Sequence, residues 1–83
     1  MLHSMETLYR QLAGQFAERV AHSDSATREL AFLNGVALRL WVENDVVHAE
    51  LDSLQGGPEL WILRPGSDDI DDFVDAVADA VGC

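Results

Sequence analysis

Lysine is absent from this chain. Its basic residues are five arginines, Arg10, Arg19, Arg28, Arg39 and Arg64, set against 15 aspartates and glutamates for a formal net charge of -10. A field of that sign repels phosphate tracks and anionic lipid, because binding either requires neutralising negative charge. Direct nucleic-acid and membrane-surface binding are therefore not expected. Cysteine is nearly absent as well: Cys83 stands alone at the last position, so no intrachain disulfide forms and the fold is not a disulfide scaffold. It does not sit four residues from the end, as a prenylation box requires, and reads as a terminal thiol. Long apolar runs are missing too, none approaching the ~18 residues of a membrane span. The N-terminus carries neither a basic leader nor a long apolar stretch. The expected location is the cytoplasm. Arginine to the exclusion of lysine, with abundant Ala, Val, Asp and Leu, is the bias of a GC-rich bacterial genome or its phage.

Catalytic signatures are likewise missing. His3, His22 and His48 stand at no ligand spacing with one another or with Cys83, so no zinc site is expected. His48 and Glu50 share a strand face, which reads as a solvated surface pair, since general-base work needs a cleft and a substrate. Neither a Gly-x-Ser-x-Gly elbow nor a phosphate-binding glycine loop occurs; Gly56-Gly57 belongs to a turn with no helix start after it. Asp68-Asp69-Ile70-Asp71-Asp72 formally matches the Asp-Asp-x-x-Asp pattern of isoprenoid enzymes. Those enzymes need a large helical cavity and a second acidic cluster, for which this chain is too short. An EF-hand loop fails on its glycine and its final glutamate. The expectation is a non-enzymatic protein with no cofactor and no metal.

What is present is a single small domain, 1–83, whose hydrophobic fraction of 48% is ordinary for a globular chain. At about 1.5 kcal/mol of ordering entropy per residue, a core this small balances near zero, so oligomerisation or a bound partner adds stability. Met5, Leu8, Leu12, Phe16 and Val20 recur at threes and fours, which predicts an amphipathic helix from about Met5 to His22, capped by Ser4. Glu6/Arg10 and Glu18/His22 are its supporting pairs. Ala13, Gly14, Ala17 and Ala21 suggest a small-residue groove for close approach of another backbone. Residues 26–33 are ambiguous: Ala26, Leu30 and Leu33 fit a short helix ended by Asn34-Gly35, yet Asn-Gly is also a hairpin signal. Pairing Leu33 with Val36 would turn Glu29 toward the core, so the short helix is favoured.

From Val36 the period changes to two. Val36, Leu38, Leu40 and Val42 alternate with Ala37, Arg39, Trp41 and Glu43; Asn44-Asp45 turns the chain into a second strand, 46–51, and a third runs from Glu59 to Leu63. Pro65-Gly66 ends it, and Ser67 caps a last helix. There Ile70, Phe73, Val74, Val77, Ala78 and Val81 form an apolar face, while Asp68, Asp72, Asp75 and Asp79 form a carboxylate stripe opposite. The stripe costs stability: Asp68/Asp72, Asp71/Asp75 and Asp75/Asp79 each repel by roughly 0.2–0.5 kcal/mol, and no nearby basic residue faces the negative end of the dipole. The predicted class is α+β: a three-stranded antiparallel meander with an N-terminal amphipathic helix, a short second helix and an acidic C-terminal helix.

Function is expected to be protein binding. If both long helices cover one face of the sheet, Trp41 and one side of the third strand stay open; if they cover opposite faces, no patch remains. The expected docking residues are Trp41, Trp61 and Leu63, with Arg39 at the rim, and the partner is another protein or a second copy of the chain. The alternative is a nucleic-acid mimic that sets Asp68, Asp72, Asp75 and Asp79 into a basic groove. Its charge, one per ~3 Å of helix against one per ~1.7 Å in duplex DNA, is sparse for that role. Over roughly residues 5–63 the element order resembles a shortened class I type III secretion chaperone, which implies a dimer holding an effector segment along its surface. That family carries a further helix and strands before its last helix, which this chain lacks. Small phage inhibitors and toxin immunity proteins share its size and acidity.

Overall fold

The structure, a computed structural model, describes residues 4–53, 57–64 and 68–82. It is α+β, with helix α1 (Ser4–Gln15), strands β1 (Val20–Asp24), β2 (Glu29–Phe32), β3 (Ala37–Glu43), β4 (Val46–Ser53) and β5 (Gly57–Leu63), and helix α2 (Asp69–Val81). The strands form one antiparallel meander in the order β1-β2-β3-β4-β5. Among the described residues the sheet therefore has five strands rather than the three expected. The additional two precede the expected three instead of following them, which also departs from the chaperone-like order.

Both extra strands come from sequence expected to be helical. The first helix stops at Gln15, and Ala17–Arg19 make one 3-10 turn before β1 begins. Phe16 and Val20 satisfy helical spacing, but Phe16 is buried against Phe32 edge to face and Val20 pairs with Phe32 in the sheet. Gly14, which weakens a helix by about 1 kcal/mol, stands one residue from its end. The small-residue groove does not form: Gly14 is exposed, with no described neighbour within 4 Å of where a side chain would begin, and Ala21 lies in a strand. Glu6 pairs with Arg28 of the β1–β2 turn.

Residues 29–32 are strand, not helix. Asn34-Gly35 serves the hairpin, with Gly35 at φ 92 and the Phe32 amide donating to the Val36 carbonyl at 2.7 Å. The pairing is Ala31 with Ala37 and Leu30 with Leu38, one residue away from the Leu33–Val36 register. That shift sends Leu30 and Phe32 inward and Glu29 outward, removing the objection to a hairpin. At the next turn both Asn44 (φ 54) and Asp45 (φ 63) are left-handed, as a two-residue primed turn requires.

One face of the sheet carries the core. Leu30, Phe32, Leu38, Leu40, Val47, Ala49, Leu51 and Leu63 are buried together with Leu8, Leu12 and Phe16 from α1 and Phe73, Val74, Val77 and Val81 from α2. All of these strand residues point to the same side, so both helices pack on that side, and among the described residues no element covers the other. The acidic helix has the faces its pattern predicts: Asp71, Asp72, Asp75 and Asp79 are exposed while Phe73 and Val77 are fully buried. Asp68 precedes it without a side-chain capping bond, and Ser67 lies outside the described residues, as does Cys83. The negative end of α2 does meet a cation: Arg19 Nη1 donates to the Val81 carbonyl at 3.3 Å, and Asn34 Nδ2 donates to Ala80 at 3.0 Å. No helix among the described residues is long and apolar enough to cross a membrane.

Candidate interaction face

The open face is built from the outward residues of β2 to β5, in rows fixed by register. Arg39 stands beside Glu50 and Glu50 beside Leu60; in the next row Trp41 stands beside His48 and His48 beside Ile62. Neighbouring strands lie about 4.8 Å apart, so each row is about 10 Å wide from β3 to β5. Ala31, Ala37, Asp52 and Pro58 flank them on one side, Glu43 and Val46 on the other.

The middle of this face is ordered by side-chain contacts. Arg39 Nε donates to Glu50 Oε1 at 2.9 Å, and its guanidinium lies 5.2 Å from the Trp41 ring centre. The His48 ring stacks on Trp41 at 5.7 Å with 23° between planes, and His48 Nδ1 lies 3.0 Å from the Val46 carbonyl. Trp41 is half-buried, in contact with both the Arg39 guanidinium and the His48 ring. A rigid aromatic beside an arginine is the composition of an interface anchor. Alongside it Leu60 is 74% exposed and Ile62 47%.

Of the residues expected to bind a partner, Trp41 and Arg39 lie on this face. Trp61 and Leu63 do not: they point to the core side, where Trp61 meets Phe73 edge to face at 5.4 Å and Leu63 is 1% exposed. Leu60 and Ile62 occupy the open side of the same strand in their place. Leu60-Trp61-Ile62-Leu63 is apolar on both faces, so alternation within β5 carries no sign of which side the helices take.

The alternative acidic face is present as a helix surface. Asp68, Asp72 and Asp75 are exposed, and Asp79 is exposed where it borders a groove of about 410 Å³ between the end of α2 and the sheet, lined also by Asn34, Leu51, Ser53 and Glu59. Among the described residues, no group of three or more His, Cys, Asp or Glu side chains is placed to hold a metal ion. His48 and Glu50 share the open face as expected, but Glu50 is bound to Arg39 and His48 to Trp41. No protein-family model, curated protein or solved structure matches the chain.

Proposed function

We propose that this protein is a non-enzymatic binding module, of the adaptor, chaperone-like or inhibitor kind, that docks a partner protein on the open face of its sheet. The observation that carries the reading is the packing of α1 and α2 on one side, which leaves Trp41, Leu60 and Ile62 together on the other. Exposed apolar side chains next to an ordered aromatic–arginine pair are an expensive surface for a chain with this little core. Trp41 is the anchor on β3, Leu60 and Ile62 add apolar contact on β5, and Glu50, paired with Arg39, and His48 stand between them on β4. The excess negative charge keeps the free protein dispersed.

Affinity capture from the source cells tests this when read against two sets of substitutions. A partner that is lost with Trp41→Ala and with Ile62→Glu, is retained by the α2 variant Asp72→Asn/Asp75→Asn/Asp79→Asn, and barely responds to salt supports the sheet face. A partner lost with the α2 variant and released by salt transfers the function to the nucleic-acid mimic, whose contacts are charges screened over ~10 Å at 0.1 M.

A further inference from the structure

The five-stranded sheet has two edges, and they are built differently. β1 is short, has a register irregularity between Val20 and His22, and ends in His22, Ser23 and Asp24. Shortness, irregularity and polar side chains are the usual devices that stop an edge from pairing with another chain. β5 carries fewer of them, one charged residue and a proline, Pro58, near its start. It matches β4 without interruption from Gly57 to Leu63, its one charged residue is Glu59, and its outward side chains Leu60 and Ile62 are exposed. Among the described residues, no main-chain group of β5 bonds to anything but β4.

Pro58 sets the phase of this edge. Proline is tolerated in a strand where its missing N–H would have faced away from the neighbouring strand. Leu60 and Ile62, in phase with Pro58, then turn their main-chain N–H and C=O groups to the open edge, while Glu59, Trp61 and Leu63 turn theirs to β4.

We infer that β5 pairs antiparallel with β5 of a second copy of this chain about a two-fold axis at Trp61, joining the two sheets edge to edge. The register follows from the residues. Centred on Trp61, Leu60 stands opposite the partner's Ile62 and Ile62 opposite the partner's Leu60, so both exposed aliphatics gain an apolar neighbour twice over. Pro58 falls opposite the partner's Arg64, at the end of the ladder, where its missing N–H interrupts nothing. Centred on Leu60 instead, Pro58 would oppose the partner's Ile62 and Glu59 the partner's Trp61. Centred on Ile62, Leu60 would oppose the partner's Arg64, so the Trp61 register is the one that sets each exposed aliphatic against the other, and this self-complementarity favours a second copy over an unrelated strand. Each copy brings a net charge of -10, so their mutual repulsion opposes the pairing and added salt tightens it. The inference is independent of the docking reading: the edge uses main-chain groups, and pairing leaves the open face uncovered and continuous across the two-fold.

Sedimentation or light scattering from dilute to near-millimolar protein, combined with amide hydrogen exchange by NMR, tests it. The expected result is a mass that doubles with concentration, and a dissociation constant that falls with salt. Ile62→Lys raises that constant at least about tenfold, and Trp41→Ala leaves it unchanged. The amides of Leu60 and Ile62 slow with concentration, whereas those of Glu59, Trp61 and Leu63 are protected in the dilute protein already. A chain that stays monomeric throughout overturns the inference. So does a dimer that ignores Ile62→Lys and leaves the exchange of Leu60 and Ile62 unchanged. Neither result bears on the open face, and loss of a captured partner on Trp41→Ala does not bear on the edge.

Discussion

Phe73 and Ile62 are both large and apolar, yet the first is 0% exposed beneath the sheet's core side and the second is 47% exposed on its open side. Their substitutions should differ accordingly. Phe73→Ala removes a ring packed on Trp61 and leaves a cavity, at a cost of about 3–5 kcal/mol, a large share of the ~5–15 kcal/mol that holds a domain. Ile62→Ser should stay within about 0.5 kcal/mol. Urea unfolding of the two variants, at a concentration where the chain is monomeric, checks this, and a loss of several kcal/mol from Ile62→Ser would mean that the open face is part of the fold rather than a docking surface. Periodicity identified Phe73 as core because every neighbour in α2 is either acidic or apolar, giving one unambiguous stripe. It could not rank Trp61 against Ile62, since β5 offers apolar residues to both sides. Trp41 and Arg39 were legible as outward residues because β3 alternates cleanly; the stacking of His48 on Trp41 depends on a cross-strand register that spacing alone does not supply.

At the scale of elements, α2 carries a cost on its outer face and a remedy at its end. Asp75 stands four residues from both Asp71 and Asp79, so Asp75→Lys turns two repulsive pairs into attractive ones and should add about 1 kcal/mol. A destabilised Asp75→Lys would show that the carboxylate has a partner worth more than the relief of repulsion. Arg19 reaches the Val81 carbonyl from the far end of the chain, satisfying one of the last carbonyls and opposing the dipole. Arg19→Ala should lower stability by about 1 kcal/mol, with the loss read as faster exchange in the last turn of α2. The bounds of α2 were legible because its apolar stripe is continuous and Gly82, left-handed at φ 83, ends it locally. The end of α1 was not, because Phe16 and Val20 fit a helix and an exposed turn that follows a buried Phe16 and leads into a strand equally well. What decided it was the ladder that residues 20–24 make with β2, a gain invisible within the segment.

Across the whole molecule, 15 acidic residues against five arginines leave a net repulsion that folding concentrates. Raising sodium chloride from low to physiological strength should therefore raise the melting temperature of the monomer, as checked by calorimetry at a protein concentration where mass stays constant; a fall would mean that ion pairs such as Arg28–Glu6 and Arg39–Glu50 outweigh the repulsion. By itself the sequence determined the α+β class, strands β3 to β5, both turn residues at Asn44-Asp45, and the two faces of α2, because each follows from periodicity or turn chemistry within a dozen residues. Only the tertiary structure decided that residues 20–24 and 29–32 are strands, that both helices share one side of the sheet, and hence that the face carrying Trp41, Leu60 and Ile62 is left uncovered by them. Those outcomes depend on pairing and burial between segments far apart in the chain, where a shift of one residue in register exchanges the inside for the outside.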